Sequence, residues 1–135
     1  MSLFRIFDIA GSAMSAQSVR LNTTASNLAN SETVSGTEAG AYRSRQPVFA
    51  TIVSGLGKEA AGVRVTGIVE DNAPVRKEYA PDNPLADEKG YIYRSNVNAV
   101  EEMANMISAS RSYQNNVEVL NTSKQLLLST LRLGQ

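Results

Sequence analysis

The chain has 135 residues, with 13 basic and 13 acidic side chains, no histidine and no cysteine. Balanced charge without a basic cluster argues against nucleic acid or an anionic membrane surface as a partner, and the missing His and Cys remove Ser-His pairs, thiolate nucleophiles and His- or Cys-based metal sites. The longest apolar run near the C-terminus, Leu126–Leu128, is far too short to insert into a membrane, and the N-terminus lacks the charged start, apolar core and small-residue cleavage site of a secretory signal.

In chain order, Phe7, Met14, Leu21 and Leu28 fall seven residues apart, with Ala10, Ala13, Gln17, Thr24 and Ala25 on neighbouring faces. That period predicts a first helix over residues 2–30. Residues 31–46 hold Gly36 and Gly40 and no helical period, so they read as an extended or mobile loop. Pro47–Val53 is a predicted strand. Gly62–Glu70 is a second, with Val63, Val65 and Val69 expected on one face and Arg64, Thr66, Ile68 and Glu70 on the other. Residues 54–61 link them as a hairpin-sized loop, and Val75–Tyr79 adds a third short strand. Pro81 and Pro84 then forbid regular structure before Tyr91. The stretch Asp82–Glu88 lacks the alternating oxygen ligands and turn glycine of a calcium loop, so it reads as a solvated turn. The carboxylate pairs Glu70-Asp71, Asp87-Glu88 and Glu101-Glu102 are each adjacent in sequence. Adjacency points the two groups of a pair apart, so no general acid–base couple and no cofactor site is expected.

Asn98-x-x-Glu101 resembles a capping box, and two acids in the first turn suit the positive end of a helix dipole. Behind it comes the longest regular pattern of the chain. Met103, Met106, Ser110, Tyr113, Val117, Leu120, Lys124, Leu127 and Leu131 follow one another in alternating steps of three and four. The pattern predicts a helix from Val97 to Arg132, about 54 Å long. A narrow apolar seam of that length calls for a partner helix. Lys124 interrupts the seam, although its alkyl stem can cover apolar surface.

Charge is distributed unevenly. Arg5, Asp8 and Arg20 are the only charges in residues 1–31, and Arg111, Glu118, Lys124 and Arg132 the only ones after residue 102; the other 19 of 26 lie between. The helices carry Ser, Thr, Asn, Gln and Ala where surface helices carry charge. Such faces permit close approach on several sides, and apart from Ala they are mediocre helix formers. The expected fold is mainly α with a small β element. Two long terminal helices pair as a coiled-coil-like core around a β-hairpin-containing middle, in one domain divided into residues 1–30, 31–96 and 97–135.

The run Ser12–Arg20, followed by Ala25-Ser-Asn-Leu-Ala-Asn30 and Thr33, resembles the N-terminal signature of bacterial flagellar rod, hook and hook-associated axial proteins. Asp82–Tyr91, Asn96-Val-Asn98, Glu102-Met103, Met106-Ile107, Ala109, Arg111, Tyr113-Gln114 and Asn116 resemble the short proximal-rod subunits of that family. The resemblance departs after Asn30, where Tyr42 follows Thr33-Val-Ser-Gly36 only after an insertion. It implies a structural subunit, not an enzyme, in the periplasmic rod of the flagellar basal body. It further implies export through the flagellar type III apparatus without a cleaved signal, and polymerisation with itself and other rod subunits into a torque-transmitting tube. The residues expected at its assembly interface are Phe7, Met14, Leu21, Asn27, Leu28, Asn30, Met103, Met106, Arg111, Tyr113, Val117, Leu120, Leu127 and Leu131. Another flagellar axial subunit and a non-flagellar coiled-coil adaptor are the alternative readings; an enzyme using Lys or carboxylate chemistry is formally open.

Overall fold

A computed structural model describes residues 3–54 and 59–133 of the chain, so half of the expected loop at 54–61, residues 55–58, lies outside the described residues, while residues 54 and 59–61 are strand and not loop. The elements are α1 (Leu3–Ala29), β1 (Val34–Ser35), β2 (Arg45–Ser54), β3 (Glu59–Glu70), β4 (Arg76–Tyr79), β5 (Tyr91–Arg94) and α2 (Ala99–Leu133). The architecture is mainly α with small antiparallel sheets.

Each long helix ends where its sequence provides a substitute for the missing backbone partners. At the end of α1 the Asn30 side-chain Nδ2 donates to the Ser26 carbonyl at 2.8 Å, and the Thr33 hydroxyl donates to the Asn30 carbonyl at 2.7 Å. At the start of α2, Asn98 Oδ1 accepts from the Val100 and Glu101 N–H groups at 3.1 and 3.4 Å. This is the N-cap half of the expected capping box; the reciprocal bond from Glu101 is absent among the described residues. The helices run antiparallel, since Arg20 meets Asn105 while Ile6 lies beside Asn115, Val119 and Thr122.

Strands β2 and β3 form an antiparallel hairpin that also packs on α1. Register shifts at Val48/Phe49 and Ile52/Val53 mark two bulges. The first corrects the expected alternation. Phe49 pairs with Val65 and Pro47 pairs with Ile68, so Thr66 is the extra residue, and Ile68 rather than Val69 continues the face of Val65. Strand β4 does not extend this hairpin. It pairs with β5, which also pairs with β1, giving a separate sheet of order β1-β5-β4. Residues 31–46, expected to be an extended or mobile loop, thus contribute β1, and β5 begins at Tyr91, where the expected irregular stretch ends.

The interior is small. Its buried apolar residues are Ala10, Ala16, Ala41, Ile92, Val97 and Ala109, and the largest wholly buried side chains are Ile92, Asn27 and Ser95. The accessible surface is 9089 Å², against about 6,900 Å² for a compact globule of this mass.

Candidate assembly interface

Asn27 organises the junction between the helices and the β elements. Its Oδ1 accepts from the Arg45 N–H at 2.9 Å and from the Tyr42 hydroxyl at 3.0 Å. Its Nδ2 donates to the Arg45 carbonyl at 2.8 Å and to the Ser44 hydroxyl at 3.3 Å. The carboxamide therefore pairs with both backbone groups of Arg45 as a neighbouring strand does, and it is fully buried. A second carboxamide closes the other side. Asn96 Oδ1 accepts from the Ser44 N–H at 2.7 Å, and its Nδ2 donates to the carbonyls of Ala73 and Asp71 at 3.0 and 3.4 Å. Arg76 Nε adds a bond to the Ser95 carbonyl at 3.0 Å. Residues 42–45 are thus clamped between the end of α1 and the approach to α2, with the Tyr42 hydroxyl returning to Asn27.

The crossing segment is closed by Asp87. Its Oδ1 accepts from the Tyr91 and Lys89 N–H groups at 2.8 and 2.9 Å, and its Oδ2 from the Tyr93 hydroxyl at 3.3 Å. The Tyr91 N–H foremost holds this carboxyl below the usual carboxylate range; the Lys89 N–H, the Tyr93 hydroxyl and the Lys77 charge act with it, against the opposing effect of burial. The carboxylate therefore serves a turn. Among the described residues no group of three His, Cys, Asp or Glu side chains is placed to hold a metal ion.

Where α2 faces α1, its line is Glu102, Asn105, Ala109, Ser112, Asn116, Leu120, Ser123 and Leu127, in steps of three and four and all buried or half-buried. Apart from the two leucines these side chains are small or polar, and some bond their own helix: Asn116 Nδ2 donates to the Ser112 carbonyl at 2.7 Å, and on α1 the Thr23 hydroxyl donates to the Val19 carbonyl at 2.9 Å. Across the seam, Arg20 Nη2 donates to Asn105 Oδ1 at 3.2 Å. Much of the apolar ladder lies beside this line; Leu120 and Leu127 lie on it. Met103 is 51% exposed, Tyr113 37% and Leu131 62%, while Met106, Val117, Leu120 and Leu127 are half-buried and Arg111 is exposed. On α1, Phe7, Met14, Leu21, Leu28 and Asn30 are half-buried. The large apolar groups are therefore covered only in part within one subunit.

Ser44, Ser95 and Tyr42 were not singled out by periodicity, because each is polar and acts through hydrogen bonds. The signal available was the density of Asn at 27, 30, 96 and 98, which marks backbone substitution at both helix ends.

Two family models match the chain. One, described as flagella basal body rod protein, covers residues 7–36, and the other, flagellar basal body rod FlgEFG protein C-terminal, covers residues 88–133. Curated relatives named flagellar basal-body rod protein FlgC include those of Yersinia enterocolitica at 58% identity, Escherichia coli O6:H1 at 54% and Salmonella typhimurium at 53%. Each comparison spans 135 residues and all of both chains.

Proposed function

The chain belongs to the FlgC family of flagellar basal-body rod proteins and is a structural subunit of the rod, and we propose that its terminal helices polymerise into the proximal, torque-transmitting part of that shaft. One observation carries this reading: the subunit buries mostly alanines and small polar groups while most of its large apolar side chains are half-buried or exposed, and its surface exceeds that of a compact globule by about 2,200 Å². In water such an excess is unfavourable at about 25 cal/mol per Å² of its apolar part. Neighbouring subunits remove it.

In this proposal the large apolar residues on and beside the seam are the assembly interface. Met103, Met106, Tyr113, Val117, Leu120, Leu127 and Leu131 on α2 and Phe7, Met14, Leu21 and Leu28 on α1 pack against other copies and other rod subunits, completing a coiled-coil-like layer. Arg111 is a packing and charge contact within that layer, and Asn27 and Asn30 fix the angle at which α1 leaves it. Residues 1–30 and 97–135 act as the core and 31–96 as the middle of one domain. The subunit has no catalytic role. It reaches the periplasmic rod through the flagellar export apparatus without a cleaved signal, as an unfolded chain. Helices rich in Ser, Thr and Asn are weak alone, and that suits such a route.

An electron-microscopy map of isolated basal bodies tests the reading. The expected result places α1 and α2 among the helices of neighbouring subunits in the proximal rod, with the flank of Leu120 and Leu127 covered. Helices standing free of neighbours in the rod overturn it.

A further inference from the structure

The terminal helices present two outward stripes of opposite character. On α2, Val100, Met103, Ile107 and Arg111 follow one another in steps of three or four on the side turned from α1; Val100 is 76% exposed and Ile107 56%. On α1, Asp8, Gly11, Ser15 and Ser18 repeat the same steps on its outward side. One stripe has knobs and the other has room for them.

Gly11 shows that the room has a use. A glycine inside a helix costs about 1 kcal/mol relative to alanine. Yet a Cβ built at Gly11 meets nothing within 4 Å in this subunit. The fold of one chain gives no reason for the glycine; close approach by another chain does. Charge points the same way. Asp8 and Arg111 are both exposed, and neither has a partner among the described residues.

The two stripes match in one register. Setting Ile107 over Gly11 antiparallel brings Met103 over Ser15, Val100 over Ser18 and Arg111 opposite Asp8. Copies oriented alike along a tube present a neighbour's α1 to α2 in that antiparallel sense. Resting on the rod reading above, we propose that the Val100–Arg111 stripe of one copy docks on the Asp8–Ser18 stripe of the next copy of the same chain, with an Arg111–Asp8 ion pair setting the register. The contact joins unlike surfaces, so it is heterologous and propagates from copy to copy.

The chain has no cysteine, so Ser15→Cys with Met103→Cys introduces the only two thiols. Cells make this double variant in place of the natural chain, and isolated basal bodies are oxidised or bridged with a short bis-maleimide. The expected product is an open series of covalent dimers, trimers and higher multimers of this chain alone. A dimer without higher species means a two-fold contact and overturns the proposal, as does bridging to a different protein. Rods that contain the variant but stay unbridged overturn the docking and leave the rod reading standing. Basal bodies of unmodified cells that lack the natural chain altogether end the rod reading, and the docking with it. Charge reversal tests the register independently: Arg111→Asp abolishes swimming and adding Asp8→Arg restores it. A double variant that swims no better than the single one overturns the ion pair.

Discussion

Around Asn27 the polar groups find their partners inside the chain: both backbone groups of Arg45, the Tyr42 and Ser44 hydroxyls, and beyond them the Ser44 N–H on Asn96. Along the distal part of α2 the position is reversed, and Leu126, Leu128 and Leu131 end in solvent. The first region is complete in one subunit and the second is not. Hydrogen bonds are directional and saturable, so a network of them can be closed locally. Apolar surface is neither, so it can be left open for another copy to cover. The contrast separates what folds a subunit from what joins subunits.

The hardest blow to the open region is Leu120→Asp. Leu120 is half-buried along the seam, and a carboxylate there, covered the rest of the way by a neighbour, lacks a partner, at a cost of several kcal/mol at every copy. Export of the variant is expected to continue while swimming and filaments are lost. Normal swimming by this strain rules out α2 as the assembly element.

A blow to the closed region acts on the single subunit instead. Asn27→Ala strands the Arg45 N–H and carbonyl and is expected to cost about 2–3 kcal/mol, read as a lower urea midpoint of the purified chain. An unchanged midpoint means that the junction is not what holds the subunit together. Gly90→Ala is a milder probe of the crossing segment. Gly90 has φ +79°, and a Cβ there lies 2.9 Å from Tyr79 Cε2 and 3.2 Å from Pro81 Cβ. Left-handed strain and the clash together are expected to cost about 1–2 kcal/mol in the same measurement, and a gain in stability refutes this account of the turn.

Acid sharpens the contrast further. Because the Asp87 pKa is lowered on folding, its contribution is present above the usual carboxylate range and is lost as pH falls through the lowered value. Amide exchange at Lys89 and Tyr91, slowed by bonds to that carboxylate, is expected to accelerate in that acid window relative to Arg45, whose partner Asn27 does not titrate. Equal response at the three amides counts against it. The smallest effect belongs to Glu118→Ala, at an exposed position of α2. Swimming and stability are expected to change by no more than about 0.5 kcal/mol equivalent; loss of motility moves the contact surface onto that face.

The helix ends were legible because Asn30 and Asn98 act through local bonds that a sequence displays. Strands β2 and β3 were legible from alternation, but the bulge at Thr66 was not, since nothing in Val-Thr-Gly-Ile announces an extra residue before the partner strand is known. Strands β1 and β5 escaped for a related reason: Val34-Ser35 and Tyr91–Arg94 become strands only by pairing with each other and with Arg76–Tyr79. At the candidate interface periodicity shows a line of bulk on α2, whereas the line that meets α1 also runs through Ala109, Ser112 and Asn116, where smallness permits approach and no apolar pattern marks it.

The strand edges add a different consequence. Strand β4 carries three charges in four residues, Arg76-Lys-Glu-Tyr79, with Tyr79 set edge-on against the Tyr91 ring at 5.2 Å, and β2 contains Pro47, which offers no N–H. Short, charged or donor-poor margins are poor templates for cross-β stacking. A protein with apolar side chains uncovered runs a standing hazard of amyloid-like aggregation. Here that route is guarded at β4 and β2, while the helices are left adhesive.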